Sequence, residues 1–388
     1  MLERREEQAQ VRAFVRQLTA KYDRRYWVER AEAGEDVSEL WEELARAGFL
    51  GVTVPEEYGG SGVSMFLLTV LVEELSRQGL PLLFLVLSTA MGSITLAKHG
   101  TEEQKRRYLP ALAEGRERFC FAITEPDAGS NSFRIRTLAR RDGDDYILRG
   151  QKVFISGVDH AQHMLVVART VPYEQATDKR EGMSLFIVDT DAPGLTYTRM
   201  DTRILAPEKQ FQVFFDDVRV PRENLVGQEG QGLRAIFDAL NPERITVAAL
   251  AVGVGDYALA KAVQYAKERR VFDVPIGAHQ GLAHPMAIAK THLEMASLMT
   301  HYAAQLFDSE ADPKLVGAYA NMAKFAAAEA GIEAVDLAMQ VHGGSGFTGE
   351  VDLITLWPLV RLMRTAPVSR EMILNYIAEH VLGLPRSY

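Results

Sequence analysis

The apolar residues of this chain change their spacing twice, and that change limits the folds open to it. Up to about residue 118 they recur at helical intervals, with Leu40, Leu44 and Ala47 on one stripe and Leu67, Leu71 and Leu75 on another. Gly48 reads as a helix stop and 54–62 as a loop. Thr101-Glu102-Glu103-Gln104 reads as a helix start, with acidic residues where the helix dipole favours them. From 119 to 222 the pattern becomes short apolar runs between turn residues: 146–149, 152–156, 164–168, 184–188, 195–199 and 210–215. Asp142-Gly143-Asp144 marks a hairpin ahead of the first. Beyond 223 the spacing is helical again, with Ala-rich segments over 245–270, 284–307 and 314–341. The expectation is an α+β chain: an N-terminal helical domain (1–118), a central β-barrel domain (119–222) and a C-terminal, four-helix-bundle-like domain (223–388).

Composition narrows the function classes. The 43 Lys+Arg against 52 Asp+Glu give a net charge of -9, without the basic face that nucleic-acid binding needs. That balance still leaves room for a local basic pocket around a phosphorylated ligand. One cysteine, Cys120, permits neither an intrachain disulfide nor a Cys-based zinc site. The nine histidines show no metal-ligand grouping, so no metal is expected. The start, MLERREEQAQ, lacks an apolar signal core and is acidic for a mitochondrial transit peptide. The longest apolar stretch, 80–97, is interrupted by Pro81, Gly92 and hydroxyl residues, and reads as a buried helix rather than a membrane span. A cytoplasmic location is expected. Walker, HExxH and strand-borne GxGxxG patterns are absent, and His342-Gly343-Gly344-Ser345-Gly346 alone fits a tight turn as well as a phosphate loop.

Five ordered segments carry a sharper signal. Phe121-Ala122-Ile123-Thr124-Glu125-Pro126-Asp127-Ala128-Gly129-Ser130 resembles the TEPxAGS signature of acyl-CoA dehydrogenases. Gly150-Gln151-Lys152-Val153-Phe154-Ile155-Ser156 resembles that family's GxKxWITN strand, with Phe for the usual Trp. The segment 215–227 is similar to a third family motif. Glu268-Arg269-Arg270-Val271-Phe272 resembles ERxxFG, and Gln340-Val341-His342-Gly343-Gly344-Ser345-Gly346-Phe347 resembles QxxGGxGF. Together they span most of the chain.

The resemblance implies bound FAD, a homotetramer, an acyl-CoA substrate and an electron-transferring flavoprotein as electron acceptor. It places Phe121, Ile123, Thr124, Phe154 and Ser156 around the flavin ring, and Ser130 near FAD or CoA phosphates. It places Arg269 and Phe272 against the FAD of a neighbouring subunit, with Gln340, Gly343 and Gly344 near its adenine-side phosphates. Asn241 matches a position on the pantetheine arm, and Arg244 one that orients the base or shapes the CoA channel. Leu87, Ala90, Met91 and Leu240 are candidates for the acyl cavity. The segment 349–358 is longer than usual after the QxxGGxGF-like motif, and its effect on FAD or subunit contacts is left open.

The implied reaction needs a desolvated carboxylate near the thioester α-carbon. Many relatives carry it in a YEGTS-like segment, where this chain has Arg364-Thr365-Ala366-Pro367-Val368-Ser369. Ala366 cannot take a proton, although its backbone N–H is expected to remain available to the thioester carbonyl. Isovaleryl-CoA and long-chain relatives place the base on an earlier helix, before an arginine, and Glu243-Arg244 matches that arrangement. Glu243 is therefore the expected base, with Glu371 a weaker candidate. Asn241-Pro242-Glu243 also reads as a helix N-cap, N1 proline and first-turn acid. An acyl-CoA oxidase or flavin monooxygenase on the same scaffold, and a non-dehydrogenating flavoprotein that binds a macromolecular partner, are the competing readings.

Overall fold

The computed structural model describes residues 3–386. Six helices come first: α1 (Glu3–Thr19), α2 (Arg24–Ala33), α3 (Ser38–Arg46), α4 (Met65–Arg77), α5 (Ser93–His99) and α6 (Glu102–Ala113). α3 ends just before Gly48, whose φ of 79° suits glycine. α6 opens on a reciprocal capping box: Thr101 Oγ1 accepts the Gln104 N–H and Gln104 Oε1 accepts the Thr101 N–H. A wide-turn helical segment, Leu85–Gly92, precedes α5 and is wholly buried.

Eight strands follow: β1 (Phe119–Ala122), β2 (Leu138–Asp142), β3 (Asp145–Ser156), β4 (His163–Arg169), β5 (Met183–Asp189), β6 (Leu195–Arg199), β7 (Gln210–Val220) and β8 (Leu225–Val226). They form one sheet in the order β6-β7-β3-β2-β4-β5-β8, with β1 parallel to β4. The β2–β3 hairpin turns at Gly143, as its sequence predicts. Both faces of β4 are covered. Met164, Val166 and Ala168 enter the main core, while Leu165 and Val167 enter a second core with Ile187 and Leu109. Burial on both faces explains why β4 is a continuous apolar run rather than an alternating one. The runs expected as separate strands at 146–149 and 152–156 are one strand. Gly150, at φ 147°, carries the chain through a register shift against β7 instead of ending it.

Five more helices complete the chain: α7 (Gly232–Glu268), α8 (Gln280–Asp308), α9 (Pro313–His342), α10 (Leu356–Leu362) and α11 (Arg370–Tyr376). A small hairpin, β9 (Arg270–Val271) with β10 (Val274–Pro275), follows α7. α7 packs on α8 and α9, and α4 lies against α7 and α8. Glu73 of α4 accepts from Arg77 and from Ser297 of α8, and Arg77 also reaches Asp256 of α7. These bonds tie the first helical region to the last. Among the described residues one helix, 235–268, is long and apolar enough to cross a membrane, and its apolar window is 78% buried within the fold.

One expectation is corrected here. The N-cap reading of Asn241-Pro242 fails, because α7 begins at Gly232 and carries Pro242 in its interior. Burial of this helix on several sides outweighs the local cost of a proline without an N–H. The longer 349–358 segment is docked internally over 351–356. Buried Arg24 of α2 pairs with buried Asp352 at 2.6 Å, Lys261 donates to the Val351 carbonyl, and Leu353 and Leu356 are fully buried.

Candidate active site

The N-terminal half of the site is built where β1 leaves the sheet beside β3. The Val153 N–H donates to the Thr124 carbonyl at 2.9 Å. Lys152, fully buried, donates to the Ile123 carbonyl at 2.9 Å and to Glu125 Oε1 at 2.8 Å. Glu125 also accepts the amides of Arg136 and Thr137. Burial raises the Glu125 carboxyl, but Lys152 and the Thr137 donors outweigh it and hold it below the ordinary value. Burial pulls the Lys152 ammonium down to about 8, against the pull of Glu125. This pair locks the first two motifs together. Both are motif residues, but their pairing is not readable in the sequence, since they lie 27 positions apart.

The register shift between Lys152 and Ile155 turns Phe154 outward. Its backbone is left-handed at φ 58° and the residue is 58% exposed, a costly arrangement for an aromatic residue. Phe121, Ile123, Thr124 and Ser156 are each partly exposed around it, and Ser156 Oγ accepts from Gln210. An aromatic face with two hydroxyls and open backbone fits the ring of a flavin. Ser130 lies on an exposed loop beyond this group.

A second group lies on α7. Leu87, Met91 and Ala239 form a small apolar cluster, closed by Leu83 and Phe121. Leu240 packs on the neighbouring core with Phe121 and Ile123. Ala90 instead points into the main core, because in this wide-turn segment it does not share the face of Leu87 and Met91. One turn along α7 stands Glu243. Among the described residues no hydrogen bond or ion pair reaches its carboxylate. Burial pushes it up to about 7, against the smaller opposing effects of Arg244 and Lys324. Arg244 is buried and donates to Asn241 Oδ1 at 2.9 Å rather than to Glu243. Lys324 of α9, 1% exposed, donates to the Val368 carbonyl at 2.6 Å.

The expectation for Ala366 is overturned in one respect. Its N–H is not free: the Thr365 and Ala366 amides both donate to the Leu362 carbonyl, at 2.7 and 2.9 Å, as the chain turns out of α10. Glu371 is exposed in the first turn of α11.

The third group lies at the far end of the helical layer. Arg269 follows α7, 26 residues beyond Glu243, and a helix rises about 1.5 Å per residue, so roughly 39 Å separates them. α9 runs in the same direction, and His342 at its end stacks on Tyr265 of α7 with ring centroids 4.5 Å apart. Arg269 and Gln340, Gly343 and Gly344 therefore share one end. Gly343 and Gly344 face open space where a side chain would stand. Asp336, Met339, Gln340, Gly343 and Phe347 line a pocket of about 170 Å³. Phe272, at the tip of the β9–β10 hairpin, is 88% exposed. This group is too far from Glu243 to serve the same reacting centre within one chain.

Three family models match most of the chain. The acyl-CoA dehydrogenase N-terminal domain covers residues 4–116, the middle domain 120–218 and the C-terminal domain 230–382. The chain belongs to the acyl-CoA dehydrogenase family. It is 51% identical over 383 residues to acyl-CoA dehydrogenase FadE12 of Mycobacterium tuberculosis, covering 99% of this chain and 98% of that one. Butyryl-CoA dehydrogenase from Megasphaera elsdenii superposes with a TM-score of 0.90 at 28% identity, covering 97% and 98% of the two chains. A glutaryl-CoA dehydrogenase from Mycobacterium smegmatis, solved in complex with FADH2, gives a TM-score of 0.86 at 27% identity, covering 100% and 96%. This acyl-CoA dehydrogenase is thus an oxidoreductase with FAD as its cofactor.

Proposed function

We propose that this enzyme dehydrogenates an acyl-CoA between its α and β carbons to the trans-2-enoyl-CoA, with Glu243 as the base. The observation that carries the assignment is a desolvated carboxyl, raised to about 7 and free of hydrogen bonds, one turn along α7 from an apolar cluster. A base with a pKa near the working pH combines a large ionised fraction with a strong pull on the proton. FAD, when bound, supplies the acceptor for the β-hydride. Phe154, Thr124 and Ser156 present it with one aromatic face and two hydroxyls. Leu83, Leu87, Met91, Ala239 and Phe121 receive the acyl chain and exclude water. Asn241, held by Arg244, meets the pantetheine arm, and electrons pass on to an electron-transferring flavoprotein.

The test is anaerobic bleaching of the bound flavin by straight and branched acyl-CoAs from butyryl to palmitoyl. At least one is expected to bleach it and yield the enoyl-CoA, with no oxygen uptake in air. Rapid oxygen uptake would make the enzyme an oxidase. No bleaching by any of them would leave a non-dehydrogenating flavoprotein.

The site is completed by a second copy of the chain. On α8, Ile288, Met295, Leu298 and Tyr302 recur along one exposed face, Leu298 at 69% exposure, while Leu293, Ala296 and Thr300 on the opposite face are buried. With the exposed Phe272 and Arg269, this face supports a homotetramer in which one chain's helix end covers its neighbour's FAD. Wild type is expected to sediment as a tetramer, and the pair Met295→Glu and Leu298→Glu as smaller particles that have lost FAD. A monomeric wild type that retains FAD would contradict this assembly.

A further inference from the structure

Lys324 is a buried cation that the reaction as described does not use. It lies in the middle of α9, midway between two points where α9 touches α7. A side chain on Gly317 would lie 3.9 Å from Asn241 Oδ1, and one on Gly331 would lie 2.9 Å from the Ala251 carbonyl. Residues seven apart share one helix face, so Lys324 faces the α7 turn that begins at Glu243. Its ammonium donates to the Val368 carbonyl, two residues beyond Ala366. Glu329, further along α9, holds the same segment from both ends by pairing with Arg364 and Arg370. The 364–370 segment is therefore fixed to α9, and its central tie is an ammonium.

We propose that Lys324 is a positioning residue of this enzyme: it anchors the 364–370 segment to α9 and supplies the cation that holds the Glu243 carboxylate ready for proton abstraction. The inference rests on Glu243 being the base. Other charges also bear on the pair. Arg244 on α7 acts on both groups, Glu329 on α9 and Glu371 on α11 act on Lys324, and Tyr376 of α11 faces Arg244. Arg364 and Arg370 are taken up by Glu329. Lys324 is the one among them that both faces α7 and donates to the 364–370 backbone. A cation on the facing helix favours the ionised form of the carboxylate, as Arg244 does more strongly from α7, so removing Lys324 should make Glu243 harder to deprotonate.

The test is the pH dependence of anaerobic flavin reduction in holoenzyme, using whichever acyl-CoA from butyryl to palmitoyl reduces wild type fastest. Lys324→Met is expected to move the acid limb to higher pH by about one unit, and Lys324→Arg to leave it in place. A uniform loss of rate with an unmoved limb in Lys324→Met, or an equal shift in Lys324→Arg, would overturn the proposal. If Lys324→Met does not retain FAD, Lys324→Gln is read by the same criterion, since it keeps a donor for Val368 but no charge. Glu243→Gln separates the two claims. Bleaching at the wild-type rate in Glu243→Gln removes the base assignment and this inference with it. A slow Glu243→Gln beside an unmoved limb in Lys324→Met removes this inference alone.

Discussion

Glu243→Gln is expected to slow anaerobic flavin reduction by about 10²–10⁴-fold while leaving FAD content unchanged, because a positioned general base contributes that much. The substitution keeps the size and shape of the side chain and removes only its capacity to accept a proton. No hydrogen bond to the carboxylate is lost, so the architecture of α7 has no reason to change. The same variant should gain thermal stability at alkaline pH. In wild type the carboxyl rises from an ordinary 4.5 to about 7 on folding, chiefly through burial. The folded chain then binds more protons than the unfolded one between those values, and stability falls as pH rises through that window. Above pH 7 wild type carries the full cost of an ionised, desolvated group, and the glutamine variant carries none. Slower chemistry with a higher melting temperature at pH 8 is the signature of a group kept for reactivity. Melting curves at pH 5 and pH 8, run beside the bleaching assay, check both. Wild-type bleaching in the variant would move the base elsewhere.

The layers of this fold were readable because each changes the hydrophobic period, and local signals such as Gly48 and the Thr101–Gln104 cap behave as isolated chemistry dictates. The misreadings arose where tertiary contact overrides a local rule. Pro242 looks like a helix start, yet α7 is buried deeply enough to carry it inside. Gly150 looks like a strand end, yet pairing with β7 on both sides carries the chain through. The Ala366 amide looked available because its occupation depends on how the chain leaves α10, which no spacing encodes. In the candidate site, Glu243 was legible as a proposed base through a departure from a pattern: a missing acid at 366 and an acid before Arg244. Lys324 and the Glu125–Lys152 pair were not, because their meaning lies in contacts between distant segments.

That pair supplies the largest expected structural effect. Lys152→Met should destabilise the fold by about 3–5 kcal/mol, the usual consequence of leaving one partner of a buried ion pair behind. Lys152 has no exposed surface, and Glu125 would keep its two backbone donors but lose its cation. The Ile123 carbonyl would lose a donor as well. The damage is placed where it matters, because this ammonium joins the end of β1 to β3, and those segments carry Thr124, Phe154 and Ser156. FAD content should therefore fall more steeply than helical content as denaturant is added. Adding Glu125→Gln should recover part of the loss. The amide oxygen can still accept one backbone N–H, and the stranded charge, the larger part of the penalty, is gone. Full recovery is not expected, since one of the two amides from Arg136 and Thr137 would lose its acceptor. Urea unfolding followed by flavin fluorescence and by far-ultraviolet circular dichroism reads both quantities. A single variant within about 1 kcal/mol of wild type, the range of an exposed ion pair, would show that the two motifs are held together by something other than this charge pair.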